Sequence, residues 1–170
     1  MIKILEATIT INDQKIDTYD EYLSNHKKIV EDKILHLADI LKDRGLHHDD
    51  DKFTGELYST YAEAYPLLKN HKYGTPEQQK AYDELLGDVK KIHSSHNPHH
   101  PGYYENGVNG MTLIDVMEML CDWYSASQVN GNGFEDAFNF NCNRDGIEKQ
   151  LADILANTYR LFIKEDKQND

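Results

Sequence analysis

The sequence predicts an all-α fold of five or six helices. Two patterns carry that prediction. Apolar side chains recur every three to four residues through most of the chain after Thr18. Helix-starting residues also stand where those runs begin, notably Thr75-Pro76 and Thr112. Composition adds a third argument. Of 170 residues, 39% are hydrophobic and 28% charged, with only four prolines. That balance suits one globular domain over residues 1–170, with a core of about 18–165.

Taken in order, residues 4–11 (LEATITIN) mix β-branched and polar positions and end at the turn signal Asn12-Asp13, so a short extended N-terminal segment is expected. From Thr18 the period becomes helical. Tyr22, His26, Ile29, Val30, Ile34, Leu37 and Leu41 share one face of a helix that stops near Arg44-Gly45. After the short polar stretch LHHDDDKFTGE, a second helix covers about residues 54–70. Thr75 as N-cap and Pro76 at the first helical position open a third helix, which runs to about residue 96. Residues 97–111, NPHHPGYYENGVNGM, hold two prolines and three glycines and read as a loop. Thr112 caps a fourth helix, TLIDVMEMLCDWYSASQ. A glycine- and asparagine-rich connection with one helical turn (FEDAF) then leads to a last helix at about 145–165.

Charge and cysteine content narrow the function. The formal net charge is −12, which repels phosphate backbones, so nucleic acid is not expected as a stable partner. No apolar run is long enough to cross a membrane, and the N-terminal stretch lacks the pattern of a secretory signal. Two cysteines, Cys121 and Cys142, are too few for a disulfide scaffold and point to a reducing, cytoplasmic setting. Oligomeric state is left open by the sequence.

Nine histidines are the unusual feature. Imidazoles and carboxylates stand at His26, His48-Asp49, His93, His99-His100 and Asp122, each on an expected helix or beside a helix end. Divalent transition metals favour this mixture of imidazole nitrogen and bridging carboxylate oxygen. The fourth helix adds to it. Leu113, Val116, Met117, Leu120 and Tyr124 form one apolar face, which Ile114, Met119, Cys121 and Trp123 widen. The polar remainder is a stripe of Asp115, Glu118 and Asp122, spaced i, i+3, i+7. Asp115 reads as a solvated helix edge. Asp122 reads as a metal ligand, because a buried carboxylate needs a cation or donors. Glu118, one turn earlier, stands beside the ligands or faces substrate.

The order His26, then His48-Asp49, then a histidine-rich stretch, then Asp122 resembles the H…HD…H…HH…D series of the HD-domain metal-dependent phosphohydrolase superfamily. The run HDDDK is similar to the HDxxK form of its cyclic-dinucleotide phosphodiesterase branch, and His99-His100 resembles that branch's paired histidines. The following PGYYENG departs from the branch's glycine-tyrosine-proline signature. More closely, HDDDKF, HSSHNPHHP and EMLCDW resemble a family of small proteins, common in bacteria and phages, known as a domain of unknown function. The resemblance covers about residues 20–125 and implies an HD-like helical domain. It implies His26, His48, Asp49 and Asp122 as ligands of a first metal. Asp49 would bridge to a second ion held by His93 and His99 or His100, with His96 also open and His47 as the other frame for the HD pair.

The chemistry expected of such a site is hydrolysis of a nucleotide or other small phosphate ester by metal-activated water. One or two divalent transition ions are implied, with Mn, Fe, Co, Ni and Zn all suited. Asp49, Lys52 and Glu118 are the candidate catalytic residues, and Lys52 is also placed to bind a substrate phosphate. Two other readings remain: a di-iron oxygenase on a similar ligand set, or a non-catalytic metal-binding or interaction protein.

Overall fold

The computed structural model describes residues 18–131 and 133–166. The extended segment expected at 4–11 lies outside the described residues. Among these residues six α-helices follow one another: α1 (Tyr19–Leu46), α2 (Gly55–Leu68), α3 (Pro76–His96), α4 (Leu113–Val129), α5 (Phe134–Arg144) and α6 (Lys149–Asp166). No strand occurs among the described residues, so the all-α expectation holds.

The chain divides into two units, residues 1–39 and 40–170. The described part of the first is the N-terminal stretch of α1. The helix starts as the sequence suggests, with the Thr18 hydroxyl accepting from the Glu21 backbone N–H at 3.2 Å. None of the side chains of α1 is buried. Tyr22, Ile29, Val30, Ile34 and Leu37 are all exposed. The residues that share helical spacing on α1 therefore do not form a buried face.

The described residues of the second unit form two apolar clusters. The larger joins Val116, Met119, Leu120 and Trp123 of α4 to Phe134, Phe138 and Cys142 of α5 and to Leu155 and Tyr159 of α6. The smaller joins Ala64 and Leu68 of α2 to Ala81 and Leu86 of α3. Residues 134–144 form a full helix, not the single turn expected. Its inner face, Phe134, Ala137, Phe138, Asn141 and Cys142, keeps helical spacing but carries an asparagine, which broke the apolar pattern. Asn141 is fully buried, and its amide donates to the Tyr73 hydroxyl at 3.3 Å.

Local chemistry sets the helix starts near the site. Thr75 accepts from the Gln78 backbone and Pro76 stands at the first helical position, as expected. Gly87 interrupts α3 with φ 51° and ψ −123°, and the segment after this kink carries His93. Thr112 and Asp115 form a reciprocal capping box at α4. The apolar face of α4 is rotated from the expected one. Leu113 and Met117 are exposed, while Met119 and Trp123 are buried. Asp115, expected at a solvated edge, is only 3% exposed. Its carboxylate accepts from Thr112, from the Tyr104 hydroxyl at 2.7 Å and from Arg44 at 2.9 Å. The expectation failed because these partners lie partly 71 residues away, beyond any local pattern.

Candidate metal centre

The centre is built around Asp49. Its backbone is left-handed, with φ 58° and ψ 22°, a conformation that Asp tolerates better than most residues. A single 3₁₀ turn, Asp50–Phe53, follows at once. With three residues per turn, side chains at i and i+3 eclipse. Lys52 therefore lies over Asp49, with Nζ 2.7 Å from Oδ2, and its ammonium stands 5.1 Å from the Tyr61 ring centre.

Four imidazoles converge on this carboxylate. His93 Nε2 lies 3.2 Å, and His99 Nε2 3.4 Å, from Asp49 Oδ1. His48 Nε2 is 3.5 Å from Asp49 Oδ2 and 3.6 Å from Asp122 Oδ1. His100 Nε2 faces His93 Nε2 at 2.9 Å. Three of these rings have the opposite nitrogen committed to a carboxylate. His48 Nδ1 donates to Glu118 Oε1 at 2.9 Å, and His99 Nδ1 points to the same oxygen at 3.2 Å. His93 Nδ1 donates to Asp51 Oδ2 at 2.8 Å. Glu118 is in turn held by Arg44, whose Nε donates to Oε2 at 2.5 Å.

That arrangement decides what the site can accept. A neutral imidazole that donates through Nδ1 presents a lone pair at Nε2. Here the Nε2 atoms face a carboxylate oxygen and, at His93 and His100, each other. Two acceptors held in contact need a proton or a cation between them. Asp49 Oδ1 and His99 Nε2 are buried and find no hydrogen-bond partner among the described residues, which in native structures calls for an explanation. Donors about 2.1 Å from a tetrahedral ion sit roughly 3.4 Å apart, close to the spacings found. Among the described residues, three groups could hold a metal ion: Asp49 with His93, His99 and His100; His48 with Asp49 and Asp122; and His48 with His99 and Glu118. Asp49 belongs to the first two, so one carboxylate can serve both.

Electrostatics follow from the same contacts. The Asp122 and Glu118 carboxylates beside it raise the His48 imidazole to about 10. Burial pushes the Asp49 carboxyl up, but the His93 and His99 rings and the Lys52 ammonium outweigh it and hold it far below the usual range. Glu118 behaves likewise: burial raises it, and His48, His99 and Arg44 bring it well down. Burial and the neighbouring His99 lower His100 to about 3, so this ring is neutral, the form that ligates metals.

The family model that matches residues 15–161 is described as a family of unknown function, DUF5662. The chain belongs to that family. No curated protein and no solved structure matches it. Within this DUF5662 member, the structure brings together His48, Asp49, His93, His99, His100 and Asp122 from the expected set. His26 stands in none of the three groups. It lies on the exposed stretch of α1, its ring stacked 6.1 Å from that of Tyr22. His96 is exposed, with Nδ1 donating to the Ile92 carbonyl at 2.7 Å. His47 is exposed beside Asp43, so His48 supplies the HD frame.

Sequence reasoning missed Arg44, Tyr104 and the inward role of Asp51. Asn97, which opens the stretch read as a loop, donates to Asp51 Oδ2 at 2.8 Å and so braces the His93 partner. The i, i+4 spacing of His93 and Asn97 at a helix end was the available signal.

A cavity of about 410 Å³ adjoins the cluster. Lys52, His93, His100 and Asp122 form part of its wall, with Tyr61, Tyr73, Tyr82 and Arg144 further round. Burial raises all three phenols, so each presents a protonated hydroxyl. Arg144 is bound to Asp145 through two contacts of 2.8 and 2.6 Å. No helix among the described residues is long and apolar enough to cross a membrane.

Proposed function

We propose that the chain is a metal-dependent phosphohydrolase of HD type, acting on a nucleotide or another small phosphate ester. The observation that carries this reading is the set of Nε2 atoms aimed at Asp49, with a carboxylate on the far side of each of those rings. His48, Asp49 and Asp122 would hold one divalent transition ion, and Asp49, His93, His99 and His100 a second. Such an ion supplies Lewis acidity and a water made acidic enough to attack phosphorus near neutral pH.

The chain's own residues supply the rest. Lys52 is bonded to Asp49 and lines the cavity, where its ammonium can pair with a phosphate oxygen. The hydroxyls of Tyr61, Tyr73 and Tyr82 offer further donors to an ester's oxygens. Glu118 has both oxygens occupied by His48, His99 and Arg44, so it orients rings instead of moving a proton. The cavity volume is within the range of small-molecule sites and suits a compact ester. Free Cys121 and Cys142 suit a cytoplasmic setting.

Metal content and phosphate release test this together. Protein loaded with manganese, cobalt or iron should bind one or two ions per chain and release phosphate from part of a small-ester panel. Asp49→Ala should lose most metal while circular dichroism stays helical. Lys52→Gln should keep the metal and lose about tenfold or more in kcat/KM, about 1.4 kcal/mol. No release with any metal at confirmed occupancy would overturn the hydrolase reading. The group of three imidazoles also suits iron and oxygen chemistry. Oxygen uptake by the ferrous protein, without phosphate release, would favour that second reading.

A further inference from the structure

Arg44 touches none of the six residues proposed to hold the two ions, yet through Glu118 it stands one residue behind two of them, His48 and His99. Its Nε donates to Glu118 Oε2, and Glu118 Oε1 receives the Nδ1 atoms of His48 and His99. Its Nη1 donates to Asp115 Oδ1 at 2.9 Å. Asp115 and Glu118 are three residues apart on α4 and both buried, so their charges repel across one helical turn. The planar guanidinium binds the two carboxylates at once, a geometry that the single ammonium of a lysine does not reproduce.

We infer that Arg44 is a positioning residue for the metal centre, acting through Glu118 on His48 and His99. With Arg44 in place, Glu118 is held aimed at both Nδ1 atoms, so each ring presents Nε2 to Asp49. Without it, two buried carboxylates face each other uncompensated and Glu118 loses the partner that fixes Oε2. That frees the two rings from their fixed orientation. The inference rests on the metal reading of the site and assigns a role to a residue 74 positions from its partner.

A merely structural role makes a different forecast. As a cation in the last turn of α1, Arg44 would act on the helix dipole alone, and lysine would replace it fully. Cobalt(II) binding to the full chain separates the two, read by affinity and by the visible ligand-field spectrum. Arg44→Met should bind cobalt 10- to 100-fold more weakly than wild type, the range typical for loss of a residue supporting a metal ligand, with altered bands. Arg44→Lys should keep the fold yet remain several-fold weaker, with bands between the two. If Arg44→Met does not fold, Arg44→Met/Asp115→Asn removes the second buried charge and should show the same loss. Wild-type affinity and an unchanged spectrum in Arg44→Lys and in the folded methionine variant would overturn the inference. Absence of cobalt binding by wild type would instead overturn the metal reading beneath it.

Discussion

Replacing Asp115 measures whether α4 presents a solvated edge or an anchored carboxylate. Asp115→Ala removes the acceptor from the capping box at Thr112, worth about 1 kcal/mol. It also breaks a buried ion pair with Arg44, a change that typically costs about 3–5 kcal/mol. The lower end applies, because the Arg44 side chain is 25% exposed and keeps Glu118 as a partner. The expected loss is thus about 4 kcal/mol, or very roughly 8–16 °C in Tm for a chain of this length. Asp115→Asn retains an acceptor for Thr112 and Tyr104 and should lose about half as much. Urea unfolding of metal-free protein, followed by circular dichroism, gives the comparison. Burial raises the Asp115 carboxyl, but Thr112, Tyr104 and Arg44 outweigh it and hold it below the ordinary value. Its contribution is therefore present above about pH 4 and disappears as pH falls through the folded pKa, so the gap to wild type must narrow in acid. A loss under about 1 kcal/mol at pH 7, in the range of ordinary surface substitutions, would refute the buried network and restore the solvated edge.

Metal binding near neutral pH should release protons, because His48 is raised to about 10 and carries one that the ion must displace. Titration calorimetry in two buffers of different ionisation enthalpy checks this, and equal heats would refute it. In the metal-free chain the same shift stabilises the fold fully below about pH 6.5 and is lost as pH rises through about 10, so the metal-free Tm should fall over that window. Gly74→Ala should destabilise by about 3 kcal/mol. A Cβ there would meet Ala137 Cα at 2.5 Å and Cβ at 2.6 Å, at φ +71°. Thermal melting reads the loss, and an unchanged Tm would mean that α5 gives way freely.

The parts legible in the sequence were those settled within one or two helical turns. Thr75-Pro76 and Thr112 marked helix starts because capping is satisfied by side chains three residues away. Helix α5 was under-read because Asn141 occupies a core position whose partner, Tyr73, lies 68 residues back. At the site, residue types and order pointed to Asp49 and its imidazoles, since few other roles gather so many histidines. What sequence could not supply was direction. In the run Asp49-Asp50-Asp51, the 3₁₀ turn decides that the first and third face histidines while the second stays exposed. His26 shows the converse, since its helical spacing was readable but lies on a helix with no buried side chain. Arg44 carried no signal at all, because its partners lie on α4.

The left-handed backbone at position 49 narrows which residues can live there. Only glycine, asparagine and aspartate enter that conformation readily, and only one of the three brings an anionic oxygen. Glutamate, identical in charge, would be strained in its main chain and one methylene too long for the space between His93 and His99. Asp49→Asn thus separates electrostatics from stereochemistry at a single atom, whereas Asp49→Glu disturbs both.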